Sequence, residues 1–228
     1  MPDPEAILPQ QGTYALAVIT SVNWLFEPYW PGDRLIARLT DGRVTVTDAT
    51  GARAAPEYDE VGPLLAAAID AEQAVVDGIW TNQPFVGNGD GGRRIGEKLV
   101  AEGVVETAPD PADLETRRAF VAIDLLELDG TPLFDVPFQE RRRLLISLVA
   151  EDVRVRLSPA VKLPIKVWLS AWRTNGFEHY VAKHVNSRYR PGEQADDWLV
   201  MPTEPEKPPS MVGRFFGQRP RKLRRIED

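Results

Sequence analysis

No cysteine occurs among the 228 residues, which excludes disulfides, thiolate zinc sites and a cysteine nucleophile. The same absence fits a reducing compartment. Histidine is scarce too: only His179 and His184 are present. Their odd spacing on one expected strand puts them on opposite faces, so no shared metal site is expected. No serine–histidine–acid order suggests hydrolysis. Long apolar runs are also missing; the best fragments, such as Leu64–Ile69, fall far short of a bilayer span. The first residues, MPDPEAILPQ, are acidic and carry prolines, unlike the basic start and apolar stretch of a signal peptide. Together these absences predict a soluble, cytoplasmic protein with no membrane partner.

What is present is a chain with 43% hydrophobic residues, enough to bury a core. The net charge of -7 is unevenly spread. Arg214, Arg219, Arg221, Lys222, Arg224 and Arg225 face only Glu227 and Asp228 in the last eighteen residues, so the body is strongly acidic and the tail basic. A tail of this kind can hold DNA by displacing counterions from phosphate; the bland alternative is a solvated, disordered terminus. TEPEKPPS at 203–210 reads as a proline-rich linker. The expected organisation is therefore a folded domain over 1–202, then a linker and basic disordered tail over 203–228.

Short β-branched segments dominate the first part: Tyr14–Val22, Arg34–Leu39 and Val44–Thr47. Asp41-Gly42 between the last two is a strong hairpin signal. Val61–Asp70 is predicted as a helix, and Ala74–Trp80 and Phe120–Leu128 as buried strands. VGNGDGGRRIG at 86–96 has glycines enough to cradle phosphate, but it lacks the P-loop spacing and its Lys-Ser/Thr pair, so it reads as a loop. A brief helix over Glu97–Glu102 and a turn-rich connector over 107–113 follow. A helix is predicted over Asp135–Val149, with Asp135 as cap, Pro137 in the first turn and arginines 141–143 on a solvated face. Val153–Leu157 is expected as a strand, and Ile165–Thr174 as a helix ending at Asn175-Gly176. This order lacks regular βαβ alternation and predicts an α+β fold with antiparallel sheets and helices outside. The six tryptophans, among them Trp24, Trp30, Trp168, Trp172 and Trp198, are mostly core candidates.

Several segments in order, FEPYWPGDR (26–34), AVVDGIW (74–80), FVAIDLLELDG (120–130), GFEHYVAK (176–183), SRYRPG (187–192) and DDWLVMP (196–202), resemble the adenylation domain of ATP-dependent DNA ligases. The resemblance spans roughly 24–202. It implies a nucleotidyltransferase (ATP-grasp-like) fold, two antiparallel sheets flanked by helices with a cleft between them. In the family a lysine in the first segment attacks the α-phosphate of ATP, and AMP then passes to a DNA 5′-phosphate. That chemistry needs an amine whose pKa is depressed, carboxylates for a divalent metal and cations for the phosphates.

This chain departs from that pattern at several reactive positions. Tyr29 stands at the nucleophile position and Pro31 at the following aspartate, while Gly32 and Arg34 are kept. Ala49 in DATG falls where an arginine is expected, Ile79 replaces a glutamate, His179 a glycine, and Val200 and Pro202 two lysines. The resemblance leaves Arg34, Phe120, Glu178 and Lys183 as nucleotide-binding candidates, with Phe120 as the aromatic contact to a base or simply a core residue. It assigns no catalytic residue and no metal ligand. ATP is the only nucleotide implied, and no cofactor is demanded. An OB-fold domain follows in the family; here that place holds only the proline linker and basic tail.

Three functions fit these residues. The first is a non-catalytic ligase relative that binds or scaffolds in DNA repair or recombination, with DNA held by the tail or with a protein partner. The second is an ATP sensor without turnover, using Arg34, Phe120 and Glu178. The third is an active ligase with an unorthodox nucleophile such as Lys183 or a partner's group.

Overall fold

Two sheets face each other across a cleft in the computed structural model, which describes residues 6–83, 118–204 and 224–227. The smaller has four strands in the order β1 (Gln11–Tyr14), β11 (Gln194–Pro202), β10 (His179–His184) and β3 (Trp24–Pro28). The larger runs β5 (Arg43–Asp48), β4 (Asp33–Thr40), β6 (Gln73–Thr81), β7 (Ala119–Leu128) and β8 (Thr131–Pro132), with β9 (Val155–Leu157) also paired to β7. The described helices are α1 (Val61–Ala68), α2 (Phe138–Leu148) and α3 (Lys166–Thr174), with a 3-10 turn at Pro56–Tyr58. The architecture is α+β, as the element order predicts. Both sheets are antiparallel except for one parallel pairing each, β1 with β11 and β9 with β7.

Alternation along the strands sorts side chains to two sides of each sheet. On the large sheet, Leu35, Ala37, Leu39, Val76, Trp80, Phe120 and Ala122 pack against Val61 and Leu65 of α1 and Leu145 of α2 in the main core. The opposite face carries Arg34, with its partner Asp77, and Ile79 and Ile123 toward the cleft. On the small sheet, Phe26, Tyr180, Ala182, Leu199 and Met201 form a second core with Trp172 of α3. Its inner face offers Glu27, Val181, Lys183, Trp198 and Val200 to the same cleft.

Two Asp-Gly pairs make the tight connections. Asp41 and Gly42 both take positive φ (48 and 74), closing β4 onto β5 with Thr40 opposite Arg43. Asp129 and Gly130 repeat the geometry (φ 47 and 74) and turn β7 into β8. Both are the left-handed pair a two-residue hairpin needs, and only Gly or a short polar residue accepts it cheaply.

Four expectations are corrected. Tyr14–Val22 is not one strand: the chain leaves the small sheet after Tyr14, and β2 (Ala17–Ile19) pairs in parallel with β12 (Arg224–Ile226). The last described residues of the tail are therefore a strand and not disordered, with Ile226 packed on the second core. Helix α2 begins later than expected; Pro137 is its N-cap and Asp135 makes no cap, no side chain bonding the first turn. Arginines 141–143 do not form a solvated face. Arg141 is fully buried and Arg142 nearly so, leaving only Arg143 in water. The predicted loop over 86–96, helix over Glu97–Glu102 and connector over 107–113 lie outside the described residues, as does most of the 203–210 linker.

Candidate functional site

A cavity of about 170 Å³ opens between the sheets, lined by Glu27, Tyr29, Trp30, Arg34, Ile79, Ile123, Val181, Lys183, Trp198 and Val200 among others. The FEPYWPGDR segment supplies one wall, running from the end of β3 into β4. The charged residues that line it, Glu27 of β3, Arg34 of β4 and Lys183 of β10, face inward, where Glu27 and Lys183 are almost wholly shut from water. Such charges persist only when they are paired and hydrogen-bonded, and here they are.

Lys183 on β10 is 1% exposed. Its ammonium lies 3.2 Å from Glu27 Oε2 and donates to the Ile123 carbonyl at 3.1 Å. The rings of Trp198 and Phe138 lie 4.2 and 4.7 Å from it. Burial pulls the Lys183 pKa below its ordinary value, and the attraction of Glu27 and Asp124 offsets this only in part. Glu27 also accepts from Arg142 at 3.4 Å, while Arg142 donates to the Ser158 carbonyl at 2.7 Å. The Ser158 hydroxyl takes the Trp30 indole N–H at 3.0 Å.

Arg34 donates from two nitrogens to both oxygens of Asp77, which also accepts the Tyr189 hydroxyl at 2.7 Å. Burial opposes the charged form of Arg34, but Asp77 outweighs it and the pKa is raised. Tyr189 is pushed well above its ordinary value, by burial first and by Asp77 second. Behind this layer, Arg141 donates to both oxygens of Asp124 at 2.9 and 2.8 Å, with both side chains fully buried.

Of the candidates read from sequence, the cavity brings together Tyr29, Arg34 and Lys183, along with Pro31, Ile79 and Val200. Tyr29 is 47% exposed at the mouth. Phe120 is elsewhere: it is fully buried in the main core, on the face of β7 away from the cleft. Glu178 is exposed and does not line the cavity. Of the four nucleotide-binding candidates, Phe120 and Glu178 therefore do not line this cavity. His179 and His184 do fall on opposite faces of β10, beside Tyr29 and Trp24 respectively. Among the tail residues, Arg224 lies in β12 and Arg225 is exposed and bonded to Glu227 at 2.6 Å. Arg214, Arg219, Arg221 and Lys222 lie outside the described residues.

Sequence reading missed Glu27, Asp77, Asp124, Arg141 and Arg142. The signal was available for three of them, since FEP, AVVDGIW and FVAIDLL each set one carboxylate inside an apolar run. A buried carboxylate demands a cation, and that demand predicts buried arginines somewhere else in the chain.

Chemically, the cleft offers little that is unspent. Among the described residues lining it, the cations are Arg34 and Lys183 and the carboxylate is Glu27, each already bonded within the chain. A divalent metal needs several open oxygen ligands; Glu27, shared by two cations, does not supply them. The residues present do not fit such an ion.

A family model described as ATP dependent DNA ligase domain matches residues 13–201. The chain is 28% identical over 208 residues to a DNA ligase of Thermococcus onnurineus, covering 85% of this chain and 34% of that protein. It is 28% identical over 185 residues to the multifunctional non-homologous end joining DNA repair protein LigD of Mycobacterium tuberculosis, covering 81% and 22%. The chain thus spans about a third or less of these relatives' lengths. Among solved structures, mycobacterial DNA ligase D complexed with ATP and MES aligns with a TM-score of 0.63 at 25% identity, covering 86% of this chain and 60% of that one. A Chlorella virus DNA ligase–adenylate aligns with a TM-score of 0.53 at 12% identity over 86% and 67%, a likeness of fold alone.

Proposed function

The chain belongs to the family of ATP-dependent DNA ligase domains, and from that premise we propose that it works as a non-catalytic binding module in DNA repair or recombination. The observation that carries this reading is the closed set of ion pairs in the cleft. A triphosphate would have to draw Arg34 from Asp77 or Lys183 from Glu27. Stripping one partner from a buried pair costs about 3–5 kcal/mol, because a bare charge is left behind. Tyr29, at the position of the family's nucleophile, is a phenol and has no amine with which to form a phosphoramidate. The sensor alternative loses ground, since two of its three contacts, Phe120 and Glu178, do not line the cavity.

In this reading residues 1–202 are the ligase-like domain, and 203–228 are a linker and basic tail whose end folds back as β12. Repair is the setting that the relatives' names supply, and DNA is the partner the tail's arginines suit.

The test is incubation with labelled ATP and magnesium, then denaturing separation and intact mass measurement. The chain should stay unmodified, and Tyr29→Lys alone should seal no nicked duplex. Loss of one oxyanion-type stabiliser commonly costs ~3 kcal/mol, and here several are absent. A mass gain of one adenylate would overturn the proposal.

A further inference from the structure

Three aromatic rings stand in contact on the small sheet, the last of them, Tyr29, at the mouth of the cleft. Tyr14 closes β1, His179 opens β10 and Tyr29 follows β3. The Tyr14 and His179 centroids are 6.0 Å apart and those of His179 and Tyr29 are 6.3 Å apart, both edge to face. The row is built on strands: Tyr14 pairs with Val200, and the Tyr29 N–H donates to the His179 carbonyl at 3.1 Å. Yet Tyr14 is 52% exposed and Tyr29 47% exposed. Single exposed aromatics need no explanation, but a contiguous row fixed in position and left in water does.

Its surroundings are charged unequally. Beyond Tyr14 the chain enters β2, and β12 lies along it with Arg225 opposite Val18. The Arg225 side chain is 69% exposed, and its partner Glu227 is equally wet, so phosphate can replace that carboxylate at little cost. Beside the middle ring, His179, the carboxylates Glu178 and Glu204 are exposed. Arg225 therefore lies beyond the Tyr14 end of the row, and the carboxylates lie beside its middle. Exposed rings with a cation beyond them suit unpaired nucleotides, whose bases stack on rings while their phosphates follow the cation. Duplex DNA cannot use the rings, because its bases are already stacked.

We propose that Tyr14, His179 and Tyr29 form a stacking platform for single-stranded DNA, its backbone leading away toward Arg225 of β12. The platform rests on the reading of the chain as a DNA-binding module, and it selects the form of DNA. Tyr29 then acts as a base-contacting ring where the ligase relatives are expected to carry their nucleophile.

The test uses the full chain with a labelled single strand and a blunt duplex of the same sequence, followed by anisotropy. The single strand should bind more tightly. Tyr14→Leu and Tyr29→Leu should each weaken it by roughly tenfold, the order expected when one base–ring stack is removed. Neither should change duplex binding, while Tyr14→Phe and Tyr29→Phe keep the stack. A strand carrying 5-iodouracil, irradiated and digested, should leave adducts on Tyr14, Tyr29 or His179. Equal binding of the two DNA forms, unchanged affinity in both leucine variants, or adducts found only elsewhere would each overturn the platform and leave DNA binding standing. The second of these is also what a protein occupant would produce. Binding to neither form would overturn the DNA-binding reading itself.

Discussion

Tyr180 shows how a single side chain couples this fold to pH. It sits in the second core, where its hydroxyl makes a long bond of 3.8 Å to the Met201 sulfur. Burial pushes its pKa up to about 12, against ~10 in an unfolded chain. Between those values the unfolded chain releases the proton and the folded one keeps it. Stability is therefore intact below the unfolded value and lost as pH climbs toward the folded one. Tyr189, raised by burial and by Asp77, acts with the same sign. Lys183 is lowered, so its contribution runs the other way and is complete once pH reaches the ordinary lysine value. Melting followed from neutral pH to about 11 should show a fall beginning near ~10. Tyr180→Phe should match the parent at neutral pH and lose less above it. An identical alkaline fall in the two proteins would show that this hydroxyl is not the titrating group.

Among the strands, the pairing of β6 with β7 depends on one missing Cβ. A Cβ at Gly78 would collide with Phe120 Cζ and stand 2.8 Å from the Val121 carbonyl oxygen, closer than packed atoms come. The ring of Phe120 thus lies over the Gly78 backbone, and the register slips beside it, between Asp77 and Gly78. Alternation along β7 turns Ile123 into the cleft while Phe120 and Ala122 stay in the core. Gly78→Ala should destabilise by about 1–3 kcal/mol, as overpacked cores do. Urea denaturation would measure it, and Phe120→Leu in the same background should recover part of the loss. If the two changes simply add, the ring and the glycine are not in conflict as described. The aromatic contact expected of Phe120 fails for the same reason: the ring fills the space over Gly78 and does not line the cleft.

Charge acts across the entire protein. The overall charge is -7, yet the last eighteen residues are strongly basic, so long-range attraction to DNA must come from the tail. Deleting the residues after Ser210 removes those arginines and β12 together. The deletion should flatten the dependence of DNA affinity on salt, since each phosphate left unneutralised lowers the log–log slope by about one unit. It should leave base stacking on Tyr14 and Tyr29 in place. Anisotropy at several salt concentrations with both chains would show this, and equal slopes would mean that the tail does not touch the phosphates.

Local signals along the chain were enough for the α+β class, the Asp41-Gly42 hairpin, the family resemblance and the missing amine at Tyr29. They are turn residues that alone accept positive φ, strands marked by β-branched runs, and motifs read within a few positions. Where the charges go was settled by the closed fold alone. Arg141 and Arg142 read as a solvated helix face, because three consecutive arginines on a helix carry no mark of the sheet beneath them. Packing α2 on β7 buries Arg141 against Asp124, 17 positions away, and sends Arg142 to Glu27 across 115. The return of Arg224–Ile226 to β2 was equally invisible, since three residues after a proline-rich stretch have no period to read. Periodicity tells which face of a strand is wet or dry, but the partner of a buried charge lies far along the chain and is chosen only when the sheets close.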